Sequence, residues 1–125
     1  MVKKILLVDD EWDILESVKM LLETMNYKVE ITDDGNKAIE MLKKKNFDLV
    51  LLDILMPKIS GLKTLEKIRA DSKIKKQKVA FLTVVSPSKN GKGTIEKLKP
   101  IIYIEKPINN ASFKKEIKRI LSLGD

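Results

Sequence analysis

The stretch 48-DLVLLDILMPKISG-61 carries the most informative pattern for the fold, because a strongly apolar segment ends in it at one acid, Asp53. The short apolar run at residues 47–52 predicts a strand that is covered on both faces, as in a parallel sheet. Pro57 and Gly61 follow and predict a turn before the next helix. Asp53 is therefore expected at the carboxyl end of a central strand, where open α/β sheets bind their ligands.

Similar strand patterns lie on both sides of this stretch. Residues 3–8 form an apolar run that ends in acids, and residues 79–85 form a second apolar run. Residues 27–32 alternate more and are expected nearer an edge of the sheet, while residues 101–105 supply a last strand. Each of these strand patterns is followed by a stretch long enough for a helix. This alternation indicates about five βα units.

The helices are predicted from apolar residues at helical spacing. They recur within residues 14–25, 38–42 and 62–68, and a final helix is expected from about Asn110 to Leu123. Strands that alternate with helices predict an α/β fold, a doubly wound parallel sheet with helices on both faces. A fourth helix is expected in residues 86–100, but Gly91, Gly93 and two prolines predict that it is short or irregular.

Composition limits the chemistry that the chain can perform. With 125 residues, 43% hydrophobic and 34% charged, the sequence predicts one soluble domain over residues 1–125, with no output domain, export signal or membrane insertion. There is no Cys and no His, so thiolate and imidazole chemistry are excluded. The net charge of +7 is interpreted mainly as a solvated lysine surface, with few aromatic residues for stacking on nucleic acid bases.

Polar residues that end the apolar runs are expected to meet at one edge of the sheet. They are Asp9 and Asp10 after the first run, Asp53 after the third, Thr83 towards the end of the fourth and Lys106 after the fifth. Three neighbouring carboxylates repel one another unless a cation neutralises them, and oxygen-only ligands favour a hard ion such as Mg²⁺. A carboxylate such as Asp53 can also attack phosphorus and form an aspartyl-phosphate.

Each of these residues also has a simpler explanation when taken alone. Asp10 and Glu11 have the character of a helix N-terminal cap, because acids interact favourably with the helix dipole. Lys106 alone would be a surface lysine, and Thr83 alone an ordinary strand residue. The functional interpretation depends on their meeting at a shared edge.

Three spaced motifs carry a resemblance to the receiver domains of bacterial and archaeal response regulators. The segment ILLVDDE (5–11) resembles the family's first strand and acidic pair, DLVLLDILMPKISG its phosphoacceptor strand, and YIEKP (103–107) its Lys-Pro element. The resemblance covers essentially the whole chain. It implies a (βα)5, flavodoxin-like or CheY-like fold with strand order 2-1-3-4-5.

The resemblance also implies a role for each matching residue. The expected phosphoacceptor is Asp53, and the expected Mg²⁺ ligands are Asp9, Asp10, Asp53 and the backbone carbonyl of Leu55. The residues expected to bind the phosphoryl group are Thr83 and Lys106. The expected switch residues are Thr83 and Tyr103. Val84 and the segment LKPII (98–102) depart from the family pattern on the switch side. Apolar Leu55 and Val85, two places after Asp53 and Thr83, suggest a long-lived phosphoryl group.

The resemblance implies a cytoplasmic, two-component phosphorelay protein. A sensor histidine kinase or phosphotransfer protein would donate the phosphoryl group, and a downstream effector protein would bind the switched surface. Nucleic acid is not expected as a partner, and the chain is expected to be a monomer or weak dimer. It would catalyse only its own Mg²⁺-dependent phosphorylation and dephosphorylation. The alternatives are a receiver-fold interaction module without phosphorylation, and a metal-dependent phosphatase or nucleotide-binding enzyme, for which no Gly-rich phosphate loop is present.

Overall fold

The computed structural model describes residues 2–83, 103–105 and 110–122, with residues 83 and 103–105 described by their backbone. The strands are β1 (Lys4–Val8), β2 (Lys28–Thr32), β3 (Leu49–Leu52), β4 (Val79–Thr83) and β5 (Tyr103–Glu105). The helices are α1 (Trp12–Glu23), α2 (Gly35–Lys44), α3 (Gly61–Ala70) and α4 (Asn110–Ser122), α4 being the fourth described helix.

The strands form one parallel sheet. Its order is β2-β1-β3-β4, with the three-residue β5 beside β4 at the edge. The parallel α/β sheet and the edge position of β2 are confirmed. The predicted helix in residues 86–100 lies outside the described residues, so the complete set of five βα units stays a prediction.

Side chains of successive strand residues enter two separate cores, because a strand points them alternately to opposite faces. Leu6 and Val8 of β1 pack with α2 and α3 on one face. Ile5 and Leu7 pack with α1 and α4 on the other. The sheet is thus covered on both faces, and polar residues of the central strands concentrate where the strands end.

Strand β3 is shorter than its apolar run predicts. The run begins at Phe47, but the strand begins at Leu49. Asp48 instead makes a double link to the start of β1: its backbone N–H donates to the Lys4 carbonyl at 2.7 Å, and its Oδ2 accepts from the Lys4 N–H at 2.7 Å. Phe47 is 8% exposed and packs in the α2–α3 core, so its hydrophobicity reflects burial outside the strand.

No helix in the described part of the chain combines the length and the apolar character needed to cross a membrane.

Candidate functional site: an acidic cluster at the carboxyl edge of the sheet

Asp9 and Asp53 directly follow two neighbouring strands at the same edge of the sheet. Val8 is paired with both Thr32 and Leu52, so the residues after Val8 and Leu52 are neighbours. The Asp53 N–H donates to the Val8 carbonyl at 3.0 Å, and the Asp9 N–H donates to the Thr32 carbonyl at 3.2 Å. The sheet's own hydrogen bonds therefore fix the backbones that carry these two carboxylates.

Four carboxylates converge at this edge. Asp9, Asp10, Glu11 and Asp53 each offer one oxygen, and these oxygens lie within 4.8 Å of one another. Asp9 is 0% and Asp53 4% exposed, whereas Asp10 and Glu11 are exposed. Two buried carboxylates thus form the floor of the cluster, and two exposed ones form its rim.

Backbone N–H groups orient the two buried carboxylates. Asp9 Oδ1 accepts from the Glu11 N–H at 3.0 Å, and Asp53 Oδ1 accepts from the Leu55 N–H at 3.3 Å. Each bond joins a carboxylate to the backbone two residues further on, a local turn typical of Asp. Such bonds restrict the side-chain rotamers and direct the carboxylates towards the cluster.

Gly61 holds the β3–α3 loop against Asp53. A Cβ at this position would lie 2.0 Å from the Asp53 carbonyl oxygen and 2.8 Å from the Ile54 Cα, both of them backbone atoms. The Gly61 N–H donates to the Ile54 carbonyl at 2.8 Å, and Ser60 caps α3 by accepting from the Lys63 N–H at 3.1 Å. Only glycine permits this approach, which closes the loop directly behind the candidate phosphoacceptor.

The helix-terminus alternative is confirmed for the position of Glu11 but not for a capping bond from its side chain. In the described chain, the N-cap of α1 is Glu11, which makes no side-chain capping hydrogen bond. Its carboxylate instead joins the cluster, a position that the sequence interpretation missed by assigning Glu11 only to the helix terminus. The position of Glu11 directly after Asp9 and Asp10 in the sequence could have indicated that it belongs to the cluster.

The donor set suits a divalent hard cation. Asp9 and Asp53 are buried, and carboxylates that lie within 4.8 Å of one another favour a cation that offsets their mutual repulsion. All four groups offer oxygen atoms, which Mg²⁺ and Ca²⁺ prefer. A cluster with two exposed members also leaves room for water ligands, which Mg²⁺ usually retains.

The remaining predicted residues are placed less fully. Thr83 ends β4 and is paired with Glu105 of β5, and Tyr103 is paired with Phe81, so both strands run towards the acidic edge. Lys106, Val84 and Val85 lie outside the described residues. The side chain of Leu55 is 57% exposed beside Asp53. The roles assigned to all these residues remain predictions.

A cleft adjoins the exposed rim of the cluster. It has a volume of about 210 Å³ and lies between Asp10, the start of α2 at Asp34 and Gly35, and the β3–α3 loop at Met56 and Pro57. Asp34 is occupied as the N-cap of α2, because its Oδ1 accepts from the Asn36 N–H at 2.7 Å. Asp10 is the member of the cluster that lines this cleft.

Comparison with known proteins agrees with this geometry. Residues 5–118 match the profile of the response regulator receiver domain. The chain is 35% identical over 120 residues to chemotaxis protein CheY-3 of Vibrio cholerae, covering 94% of this chain and 90% of that protein. It is 32% identical over 122 residues to the transcriptional regulatory protein CrdR of Helicobacter pylori, covering 98% of this chain but only 56% of CrdR.

Solved structures extend the similarity to three dimensions. The response regulator TrrA of Thermotoga maritima, in a complex with Mg²⁺ and BeF, is 33% identical with a TM-score of 0.82 and coverage of 95% of this chain and 99% of that one. Its described complex shows that a protein of this fold and similar sequence holds Mg²⁺. The family match spans nearly the whole chain, and the fold and the acidic edge are consistent with it. The chain therefore belongs to the response regulator receiver domain family.

Proposed function

We propose that this chain is a phosphorylation switch of a two-component phosphorelay and that Asp53 accepts the phosphoryl group. The observation that carries the proposal is the position of Asp53: a carboxylate only 4% exposed, at the end of a central strand, grouped with Asp9 and Asp10. A buried carboxylate held by the backbone presents an oriented nucleophile with little reorganisation. The family match supports the same assignment.

The proposed chemistry transfers one phosphoryl group from the phosphohistidine of a sensor kinase or phosphotransfer protein. An Asp53 carboxylate oxygen attacks phosphorus, the P–N bond breaks, and the electron pair leaves with the donor imidazole, which takes up a proton. When bound by Asp9, Asp10, Asp53 and the Leu55 carbonyl, Mg²⁺ would offset the negative charge of the phosphoryl oxygens. Lys106 and the Thr83 hydroxyl would bind those oxygens, so the chain would act only on its own phosphorylation state.

The switch would operate on the β4–β5 side of the sheet. Thr83 would move towards the phosphoryl group and Tyr103 would follow, biasing the surface that a downstream effector protein binds. This proposal includes the complete (βα)5 fold, a single receiver domain in residues 1–125, a cytoplasmic location and a monomer or weak dimer. The exposed, apolar Leu55 beside Asp53 would limit the access of hydrolytic water and lengthen the phosphoryl lifetime.

Intact-mass measurement tests the proposal directly. The protein is incubated with Mg²⁺ and acetyl phosphate or phosphoramidate, alongside Asp53→Asn and a matched control, Asp48→Asn. Asp48 lies before the same strand but is exposed at its other end. We expect one phosphoryl adduct on the wild type and on Asp48→Asn, and none on Asp53→Asn.

The result also distinguishes the alternatives. An adduct that persists in Asp53→Asn would place the acceptor elsewhere. No adduct on any of the three proteins, with the fold intact and Mg²⁺ present, would favour an interaction module without phosphorylation. A half-life of seconds for the wild-type adduct at room temperature would contradict the proposed effect of Leu55.

A further inference from the structure

A second cleft lies at the opposite, amino edge of the sheet. Its volume is about 350 Å³, and it is enclosed by the start of β1, the loop before β3 and the loop before β4. The charged residues that line it are Lys3, Lys45, Lys73, Lys76, Lys78 and Asp48. Five cations against one anion make this edge opposite in charge to the acidic cluster.

Some of these charged side chains already make contacts within the protein. Lys45 pairs with Glu30 at 3.1 Å, and Lys78 Nζ donates to the Ile120 carbonyl at 3.4 Å. Asp48 accepts from the Lys4 backbone N–H. Lys73 and Lys76 are exposed, and their ammonium groups form no ion pair with any residue in the described ranges. These two lysines are therefore the cations most available to a ligand.

The loop that carries these two lysines is held in place by hydrogen bonds from side chains to backbone carbonyls. Arg69 Nη1 donates to the Lys75 carbonyl at 2.9 Å and to the Gln77 carbonyl at 2.8 Å. Gln77 Nε2 donates to the Phe47 carbonyl at 3.1 Å, which ties this loop to the loop before β3. Partial burial lowers the pKa of Arg69 from its usual value, as expected for a guanidinium that has lost some of its contact with water.

Apolar residues close the inner side of the cleft. Phe47 and Ile74 are each 8% exposed and belong to the α2–α3 core. Because Ile74 is anchored in that core, Lys73 and Lys76 on either side of it stay at the mouth of the cleft. The lysines are thus presented by a fixed backbone, which lowers the ordering cost of binding.

We propose that this cleft binds a small polyphosphate anion, that is, a ligand with two or more linked phosphate groups. Lysine ammonium groups act as point charges on flexible stems and bind phosphate oxygens without the fixed bidentate geometry that arginine gives to carboxylates. The volume of the cleft falls within the range of small-molecule sites. A tripolyphosphate ion and the triphosphate of a nucleotide share this chemistry. The site is distinct from the acidic cluster and independent of phosphorylation.

Calorimetric titration in Mg²⁺-free, low-salt buffer tests the proposal with inorganic tripolyphosphate as the probe. The test variant is Lys73→Gln/Lys76→Gln. The control, Lys115→Gln/Lys118→Gln, removes the same charge from exposed positions on α4. We expect the test variant to weaken binding about tenfold or more and the control less than about twofold. Equal weakening in both variants would show that only net charge matters and would overturn the proposal.

Backbone amide NMR locates the bound ligand, and urea unfolding checks that the variants are folded. Tripolyphosphate should shift the amide signals of residues 45–48 and 73–78, and urea unfolding should show that both variants remain folded. Shifts confined to other regions, or no binding by the wild type, would overturn the proposal. Asp53→Asn should bind tripolyphosphate as the wild type does, so a failure of the phosphorylation proposal would leave this result unaffected.

Two further ligands separate the possible sources of the phosphate groups. Titration with ATP in the same Mg²⁺-free buffer should show the same dependence on Lys73 and Lys76. Affinity equal to that of tripolyphosphate would show that the phosphates alone are recognised, and tighter binding would identify a nucleotide as the ligand. If duplex DNA binds more tightly than either anion through the same two lysines, the site serves nucleic acid and the small-anion proposal is wrong.

Discussion

The two edges of the sheet carry opposite charge in different structural settings. At the carboxyl edge, Asp9 and Asp53 are almost fully buried and directly follow central strands. At the amino edge, Lys73 and Lys76 are exposed on a loop. The acidic groups are held by the sheet itself, whereas the basic groups depend on contacts made by Arg69 and Gln77.

This difference shows how one fold provides two kinds of electrostatic site. Water screens buried carboxylates poorly, so a cation or a substitution at the acidic edge should change the stability of the fold measurably. Exposed lysines are screened by water and salt, so their removal should have little effect on stability. The acidic edge should therefore respond in folding experiments, and the basic edge mainly in binding experiments.

The largest effect is expected from Gly61→Ala, which would disrupt the acidic edge. The added Cβ would meet backbone atoms of Asp53 and Ile54, which cannot move without disturbing the end of β3. We expect a loss of about 3 kcal/mol in the free energy of unfolding, measured in urea. Gly35→Ala is the comparison: its Cβ would meet side-chain atoms of Thr64 and Ile59, so it should cost less. A Gly61→Ala protein as stable as the wild type would contradict the contact.

A smaller effect of opposite sign is expected from Asp53→Asn without Mg²⁺. Removing one charge from four carboxylates that lie within 4.8 Å should relieve repulsion and raise the free energy of unfolding by about 1–3 kcal/mol. The amide oxygen can still accept from the Leu55 N–H. Asp48→Asn removes an exposed carboxylate at the other edge and should give no such gain. Urea unfolding in EDTA measures both variants, and a destabilised Asp53→Asn would argue against dominant repulsion.

Mg²⁺ should stabilise the wild type through the acidic edge alone. At a free concentration ten times its Kd, a ligand that binds only the folded state adds about 1.4 kcal/mol to the free energy of unfolding. The increase should be much reduced in Asp9→Asn, which loses a buried carboxylate of the cluster. It should be unchanged in Lys73→Gln/Lys76→Gln. Thermal and urea unfolding with and without Mg²⁺ measure this increase in each protein. An increase of the same size in Asp9→Asn would show that Mg²⁺ binds elsewhere.

The smallest effect concerns Asp71, which follows α3 near the basic edge. A hydrogen bond from the Lys73 N–H at 2.8 Å, followed by the side-chain contact with Lys43 at 3.2 Å, lowers the pKa of Asp71 below its usual 3.8. A lowered folded-state pKa adds stability above the unfolded pKa, and this stability is lost as the pH falls through the folded value. Asp71→Asn should therefore be less stable than the wild type at neutral pH.

The acid limit supplies the check for Asp71. Below the folded-state pKa, the wild-type carboxyl is protonated, so the two proteins should unfold at nearly the same urea concentration. NMR titration of the Asp71 side-chain carbon measures the pKa independently. A difference in stability that stays constant from neutral to acid pH would assign the effect of the substitution to packing rather than to charge.

The sequence predicted the acidic edge well because its signal is local. An apolar run that stops at an acid marks both the strand and its end, which is why Asp9 and Asp53 were expected to meet. The edge position of β2 followed from its weaker apolar pattern. The start of β3 was missed, since Phe47 is as hydrophobic as a strand residue but packs beside the strand.

Contacts between residues distant in sequence were not predictable. Nothing near Gly61 in the sequence indicates that it touches the Asp53 carbonyl, since the contact depends on the path of the β3–α3 loop. Arg69 resembles any other cation of a helix end until its bonds to the Lys75 and Gln77 carbonyls are seen. Glu11 looked like a helix-terminus acid because its distance from Asp53 depends on the pairing of β1 with β3.

The type of fold, the carboxyl ends of β1 and β3 and the identity of the acids could all be predicted from the sequence, because strand periodicity and hydrophobic runs involve only a few neighbouring residues. Which polar groups meet depends on the three-dimensional arrangement of the strands and loops. Parallel pairing places Asp9 beside Asp53 at one edge, and a partly buried hydrogen bond from Gln77 to the Phe47 carbonyl joins the loops before β4 and β3 at the other. Electrostatic and hydrogen-bonding energies depend on distances in space. Those distances follow from how the strands pair, and not from the separation of the residues along the chain.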